Sequence, residues 1–190
     1  KKLAMITLAV ILGASLFIGC AKPPTEKVDA LNAQFTQLQE KGAQVFAMQQ
    51  YDQVSAQMTE LQGLMDQKKY KDAAAKADSV TTAMEELTTA LETNGQQMAQ
   101  AEVASANEEI VKFKAFIDGN KKVLAGDEAK KFTDQTTAVE GQIAGLQAEL
   151  DAKNFLNAYN TAKSVKDQLA AAAQEVTATI EAAKTKKGGK

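Results

Sequence analysis

The 190-residue chain lacks several side chains on which chemistry at neutral pH usually depends. It contains no His, no Trp and no Arg, so all 22 of its basic residues are Lys. The absence of His removes the commonest general base and metal ligand. The absence of Arg, with a formal net charge of −2, leaves no basic face of the kind that binds nucleic acid. We therefore expect no catalytic residue, no metal site, no cofactor and no nucleic-acid partner.

Proline and aromatic residues are also scarce, and this favours helices. The only two prolines, Pro23 and Pro24, are adjacent, so no proline interrupts the long sequence that follows. Hydrophobic residues make up 45% of the chain but aromatic residues only 5%, so any core is built mainly from Ala, Leu, Val and Met. This composition is typical of coiled coils and helical repeats, and it predicts an all-α fold.

The single cysteine, Cys20, follows a mostly apolar segment at the N-terminus. Lys1 and Lys2 precede sixteen mostly apolar residues, and Gly19 stands immediately before the cysteine. A positive region, an apolar region and a small residue before a cleavage point are the features of an export signal. Two alternatives stay open, an uncleaved membrane anchor and a free thiol, although the apolar run is short against the ~20 residues of a membrane span.

The residues Leu16-Phe17-Ile18-Gly19-Cys20 resemble the signal of bacterial lipoproteins. The resemblance implies that 1–19 is a signal peptide, that the Cys20 thiol carries a diacylglycerol, and that its new amine is acylated. Two or three acyl chains give stable membrane attachment. Ala21 after the modified cysteine implies the outer membrane, with the body in the periplasm. Residues 20–27 then form a tether, which the two prolines keep extended.

An internal repeat organises the rest of the chain. Residues 57–80 and 142–165 align at an offset of 85, with nine of 24 positions identical. This similarity predicts a tandem duplication of one helical unit. We assign 28–117 to the first unit and 118–186 to the second, whose first arm can begin before 118, and 187–190 to a flexible tail.

Each unit carries apolar residues at alternating steps of three and four, which is the seam of a helix packed on another helix. The second arms contain the two most regular seams: Tyr70, Ala73, Ala77, Val80, Met84, Leu87 and Leu91, and then Phe155, Ala158, Ala162, Val165, Leu169, Ala172 and Val176. Short polar turns at 66–70 and 151–155 favour antiparallel neighbours. The sequence therefore predicts two long antiparallel hairpins, arranged as a four-helix bundle or an elongated rod. The hairpin pattern resembles that of tetratricopeptide repeats, although the first arms are longer and no proline closes the unit.

Three features of the helices have two interpretations each. Asn94 and Gly95 are either part of a continuous helix or a break in it. The cluster Phe113, Phe116 and Ile117 is either core or a groove for a partner or lipid. The alanines of the seams, finally, serve either close packing inside a hairpin or self-association.

The last residues, Gly188-Gly189-Lys190, loosely resemble the end of murein lipoprotein, a lipidated helical protein. That resemblance implies attachment of peptidoglycan to the amine of Lys190. The alternative is a solubilising basic tail without a specific role.

Together these features predict a membrane-anchored lipoprotein of the cell envelope that acts as a non-enzymatic structural or interaction scaffold. Its expected partners are the membrane, through lipid on Cys20, and an envelope protein or a second copy of the chain. Two alternative functions are a periplasmic carrier of lipids or other hydrophobic ligands and a peptidoglycan tether through Lys190.

Overall fold

The computed structural model describes residues 22–124 and 126–188. Within them the chain forms six α-helices and no strand, which confirms the predicted all-α class. In chain order the helices are α1 (Thr25–Glu40), α2 (Ala43–Phe46), α3 (Met48–Asp66), α4 (Tyr70–Gly119), α5 (Asp127–Asp151) and α6 (Phe155–Gly188).

Helix α4 is the axis of the molecule. It has 50 residues, so it is about 75 Å long at a rise of 1.5 Å per residue. Each of the other five helices packs against it. Helix α3 lies along the first half of α4, where Lys76 pairs with Glu60. Helix α5 lies along the second half of α4, where Lys114 pairs with Glu140. The two hairpins therefore follow one another along an elongated rod.

Helices α1 and α6 complete the two halves as the third member of each. Lys27 of α1 donates a hydrogen bond to Asp78, and Lys166 of α6 donates one to Glu102 at 2.9 Å, so each helix runs beside a different half of α4. One three-helix bundle contains α1, α3 and the first half of α4, and the other contains the second half of α4, α5 and α6. Since α4 is continuous from one bundle to the next, the Asn94–Gly95 region is unbroken helix.

The predicted seams form the core. Six of the seven seam residues of α4 and all seven of α6 are buried, and Tyr70 is partly buried. Ala73, Ala77, Ala158 and Ala162 are completely buried, so small side chains let the helices approach closely in both hairpins. The alanines of these seams are thus core residues of the hairpins.

The buried stripe of α4 turns around the helix as it passes between bundles. Leu87, Leu91, Gly95, Ala99 and Val103 are buried at successive steps of four instead of alternating threes and fours. Each step of four moves the stripe by about 40°, because four residues exceed one turn of 3.6. The rotation lets one straight helix face α1 and α3 first, and then α5 and α6.

Both hairpin turns have the same hydrogen bonds at the repeat offset. The backbone N–H of Lys69 donates to Leu64 O at 3.0 Å, and that of Asn154 donates to Glu149 O at 2.8 Å. The residue before each donor is left-handed, with φ of 58° at Lys68 and 59° at Lys153. This is the Schellman arrangement of a helix C-terminus, so the two turns have the same backbone geometry at positions 85 residues apart.

Some boundaries differ from those expected. Helix α1 begins at Thr25, inside the predicted tether: the carbonyl oxygen of Pro24, at its N-cap, accepts a hydrogen bond from Val28 N at 3.0 Å, and Glu26 lies in the first turn. Gly126 occupies the N-cap position of helix α5, and Asp127 and Glu128 lie in its first turn. Helix α6 continues to Gly188, two residues into the predicted tail.

Candidate functional site at the junction of the two bundles

The first bundle ends in an elbow between α1 and α3. Helix α1 ends at Glu40, and Gly42 then has a φ of +91°, which favours glycine over residues with a side chain. The one-turn helix α2 follows, and Ala47, at a φ of −143°, separates it from α3. A Cβ atom on Gly42 would lie 3.0 Å from Leu156 Cδ1, so the elbow also lies directly against the start of α6.

Three aromatic rings fill the junction around Gly95. A Cβ atom on Gly95 would lie 3.1 Å from Phe155 and 3.3 Å from Phe46, so any side chain here would require the two rings to move away from α4 by a few tenths of an ångström. Phe46 also meets Tyr159 edge to face, with 5.7 Å between ring centroids. The elbow of the first bundle is thereby packed against the hairpin turn of the second.

Polar contacts fix the path of the elbow. Asn94 Nδ2 donates a hydrogen bond of 2.9 Å to the carbonyl oxygen of Phe46. On the other side, Gln39 and Gln44 donate to the hydroxyl of Tyr51, at 2.7 Å and 2.9 Å. The ring of Tyr51 stacks on Phe35 with 5.1 Å between centroids. A carbonyl that is partly removed from water and has no partner is costly, so the hydrogen bond from Asn94 stabilises the elbow.

A notch of about 530 Å³ opens on the rod between the end of α1 and the start of α6. Leu38, Leu91 and Leu156 contribute apolar surface to it. Its other side chains are mostly polar or charged: Glu40, Lys41, Thr88, Glu92, Lys153, Asn154, Asn157 and Asn160. The acids and lysines are equal in number, so the notch carries no strong charge of either sign and suits contact by shape and hydrogen bonding.

A second groove, of about 510 Å³, lies between α4 and α6. Phe116 lines it beside Ala170 and Ala173, and Phe113 reaches its wall with only 4% of its surface exposed, whereas Ile117 is buried at 8% exposure and lies outside the groove. The aromatic cluster of the sequence therefore divides: two members belong to the core and Phe116 is partly exposed to the groove.

The shifted pKa values belong to ion pairs at the surface. A hydrogen bond from Lys131 lowers the pKa of Glu175, and the same bond raises the pKa of Lys131. A hydrogen bond to Glu102 likewise raises the pKa of Lys166. These pKa shifts favour the charged forms of Lys131, Lys166 and Glu175, whereas a general acid or base needs the opposite. The pair Lys131–Glu175 connects α5 with α6, and the pair Lys166–Glu102 connects α6 with α4.

The two residues that the sequence proposes for modification, Cys20 and Lys190, lie outside the described residues, as does the signal segment 1–19. The structure instead brings together an elbow and a notch that sequence reasoning missed. Gly42 and Gly95 were the available signs, since each breaks an otherwise apolar or helical pattern. The contacts of Gly95 with Phe46 and of Gly42 with Leu156 join residues 49 and 114 positions apart, and helical periodicity carries no information on such pairs.

Within 22–124 and 126–188, no group of three His, Cys, Asp or Glu side chains is placed to hold a metal ion. None of the helices in these ranges combines the length and apolar character that a membrane span needs. Comparison of the chain with protein-family models, with curated proteins and with solved structures gives no match.

Proposed function

We propose that this protein is a lipid-anchored lipoprotein of the bacterial envelope whose helical rod acts as a scaffold for contacts with other proteins. The anchor is argued from Leu16-Phe17-Ile18-Gly19-Cys20, which resemble a lipoprotein signal. Diacylglycerol on Cys20 would hold the chain at the outer membrane, and the rod would extend from it into the periplasm.

The continuity of α4 is the observation that carries the scaffold proposal. One helix of 50 residues runs through both bundles, and Phe46, Gly95 and Phe155 pack the bundles together where they meet. Because the junction is packed and hydrogen bonded, the surfaces of the two bundles keep a set spacing and orientation. A rod of this kind supports a function in which position matters more than chemistry.

Lipidation is tested by growing bacteria that express the full chain with an alkyne analogue of palmitate. We expect the label on the N-terminal peptide of the cleaved chain, and its loss in the Cys20→Ser variant, which should also leave the outer-membrane fraction. Mass spectrometry of that peptide identifies the acyl groups. An unlabelled chain that keeps residues 1–19 would contradict the anchor.

The scaffold is tested by placing a photo-crosslinking amino acid at Asn157, in the notch, in intact cells. Thr133, an exposed residue of α5, is the matched control position. We expect one reproducible adduct with an envelope protein from Asn157 and none from Thr133. Equal yields from both positions would contradict a scaffold that acts through the notch, and a lipid adduct would favour the carrier function.

A further inference from the structure

The junction is a head-to-tail contact between the two copies of the predicted repeat. One face is the hairpin turn of the second bundle, which supplies Phe155, Leu156 and Tyr159. The other is the elbow of the first bundle with Gly42, Phe46 and Gly95. The repeat offset of 85 places the equivalent turn at 66–74, at one end of the rod. It places the equivalents of the elbow face at the other end, at 127–132, which belong to the regular helix α5, and at Ile180. Two molecules with complementary ends would assemble into a filament, because a head-to-tail contact does not close on itself.

The outer turn lacks the apolar and aromatic residues through which the internal turn contacts the elbow. Where the internal turn has Leu156 against Gly42, the outer turn has the exposed Lys71. Where Tyr159 meets Phe46 edge to face, the outer turn has Ala74. Only the aromatic position is kept, as Tyr70. The outer turn therefore offers a lysine and a methyl group in place of a leucine and a tyrosine.

The outer elbow face likewise has charged residues at positions where the internal elbow face has a glycine and an aromatic residue. Asp127 replaces Gly42, and Lys131 replaces Phe46. Ile180 replaces Gly95, and this branched side chain is only 7% exposed, so the chain's own residues already cover the position that admits two phenylalanine rings at the internal junction. Docking would bury two charges and force a ring against Ile180, and burying charges without full pairing is costly.

One attraction would remain between such ends. Lys71 and Asp127 take the positions of Leu156 and Gly42, which are in contact at the internal junction, so they would form an ion pair. An exposed pair contributes little and is screened by salt. It does not replace three apolar contacts.

We propose that both ends of the rod are capped against head-to-tail assembly, so that the protein acts as a single two-repeat rod and presents partners with its sides. The inference concerns the helical body and does not depend on the lipid anchor. It leaves lateral contact between copies unaffected, because none of the capping residues lies in the notch or in the groove beside Phe116.

The test uses the full chain in mild detergent at physiological salt, with Cys20→Ser to remove the native thiol. The pair Lys71→Cys with Asp127→Cys reports contact between ends, and both sites are exposed, so folding is not at risk. The pair Lys41→Cys with Asn157→Cys is the control, because both residues line the notch of one molecule. With a short bismaleimide we expect an internal crosslink in the control and no ladder of dimers and trimers from the end pair. Such a ladder would overturn the proposal.

A second variant rebuilds the ends with Lys71→Leu, Ala74→Tyr, Asp127→Gly, Lys131→Phe and Ile180→Gly. Circular dichroism first establishes that it remains helical, and sedimentation equilibrium then follows its mass. We expect the mass to grow with concentration while the wild-type chain keeps a constant mass. A helical rebuilt variant whose mass stays constant would overturn the assignment of capping to these residues.

Discussion

The two bundles share their turns and their seams but not their surfaces. The turns carry the same pattern of backbone hydrogen bonds, and even a side-chain bond recurs, from Gln62 to Asp66 at 2.9 Å and from Gln147 to Asp151 at 2.8 Å. The ion pair Lys76–Glu60 has no such counterpart, because Thr161 and Gly145 occupy the equivalent positions. Exposed ion pairs contribute little to stability. Buried packing and turn geometry, which the two bundles share, therefore define this repeat.

The cores of the two bundles contain different residues at equivalent positions of the repeat. Leu87 in the first seam corresponds to Ala172 in the second, so the second seam is smaller there. Val28 of α1 corresponds to Phe113 of α4, so the second bundle is larger on the neighbouring helix. Phe113 and Ala172 both line one gap of about 260 Å³, so their side chains face the same space. At these two positions the second bundle thus has a smaller residue in the seam and a larger one on the helix beside it.

Filling the space at Gly95 in the junction should change the free energy of unfolding by as much as any substitution proposed below. Gly95→Leu places a side chain where even a Cβ atom lies 3.1 Å from Phe155, so we expect a loss of about 3 kcal/mol in the free energy of unfolding, from overpacking. The matched control is Gly145→Leu on α5, where nothing lies within 4 Å of the added Cβ. There we expect a gain of about 0.5 kcal/mol from helix propensity. Urea unfolding followed by circular dichroism measures both, and a similar change in the two variants would contradict the packed junction.

Exchanging the two cores tests whether volume has moved between helices. Phe113→Val removes most of a buried ring and should cost about 3 kcal/mol. Adding Ala172→Leu then recreates the pairing of the first bundle and should restore about 1 kcal/mol of that loss. The single variant Ala172→Leu and the double variant complete a cycle, measured by urea unfolding. Strict additivity of the two changes would show that the residues do not compensate for each other.

Much of the fold followed from periodicity and repetition in the sequence. The seam residues of both second arms repeat at steps of three and four, and this pattern alone placed the α3–α4 and α5–α6 hairpins. The offset of 85 placed their turns at 66–70 and 151–155. These features depend on contacts between residues near in sequence or on comparison of the chain with itself, so sequence analysis reaches them.

The third helix of each bundle and the junction did not follow from periodicity. The steps of four in α4 indicate that its buried stripe turns, but they do not identify the helices that cover each half, because a buried stripe records burial and not its partner. The elbow depends on Gly42 meeting Leu156 and on Asn94 meeting the Phe46 carbonyl, which are contacts across the duplicated units. Comparison of the two units predicts the features that they share, whereas the junction depends on residues that differ between them.

Removing the side-chain amide at the elbow should have a moderate effect. Asn94→Ala leaves the Phe46 carbonyl without its partner, and we expect a loss of about 1.5 kcal/mol in the free energy of unfolding. Asn107→Ala is the control, because that amide donates to Val103 O within its own helix and is exposed. There the change should stay within about 0.5 kcal/mol. If the two losses are equal, the hydrogen bond to the elbow does not stabilise the junction.

The smallest expected effect is a gain in stability, and it tests whether the two hairpin turns are equivalent. Lys68 and Lys153 both have a φ near +60°, a conformation that costs residues with a side chain about 1 kcal/mol or more. Lys68→Gly and Lys153→Gly should each gain about 0.5 kcal/mol, because relief of this strain is partly offset by the greater freedom of glycine in the unfolded chain. Lys153 also lies 3.9 Å from Glu92 in the notch, but such an exposed pair adds little, so the two gains should agree. The control is Lys69→Gly, at a φ of −83°, which should lose stability. Thermal unfolding measures all three, and a loss at Lys68 or Lys153 would mean that the lysines make contacts worth more than the strain that they carry.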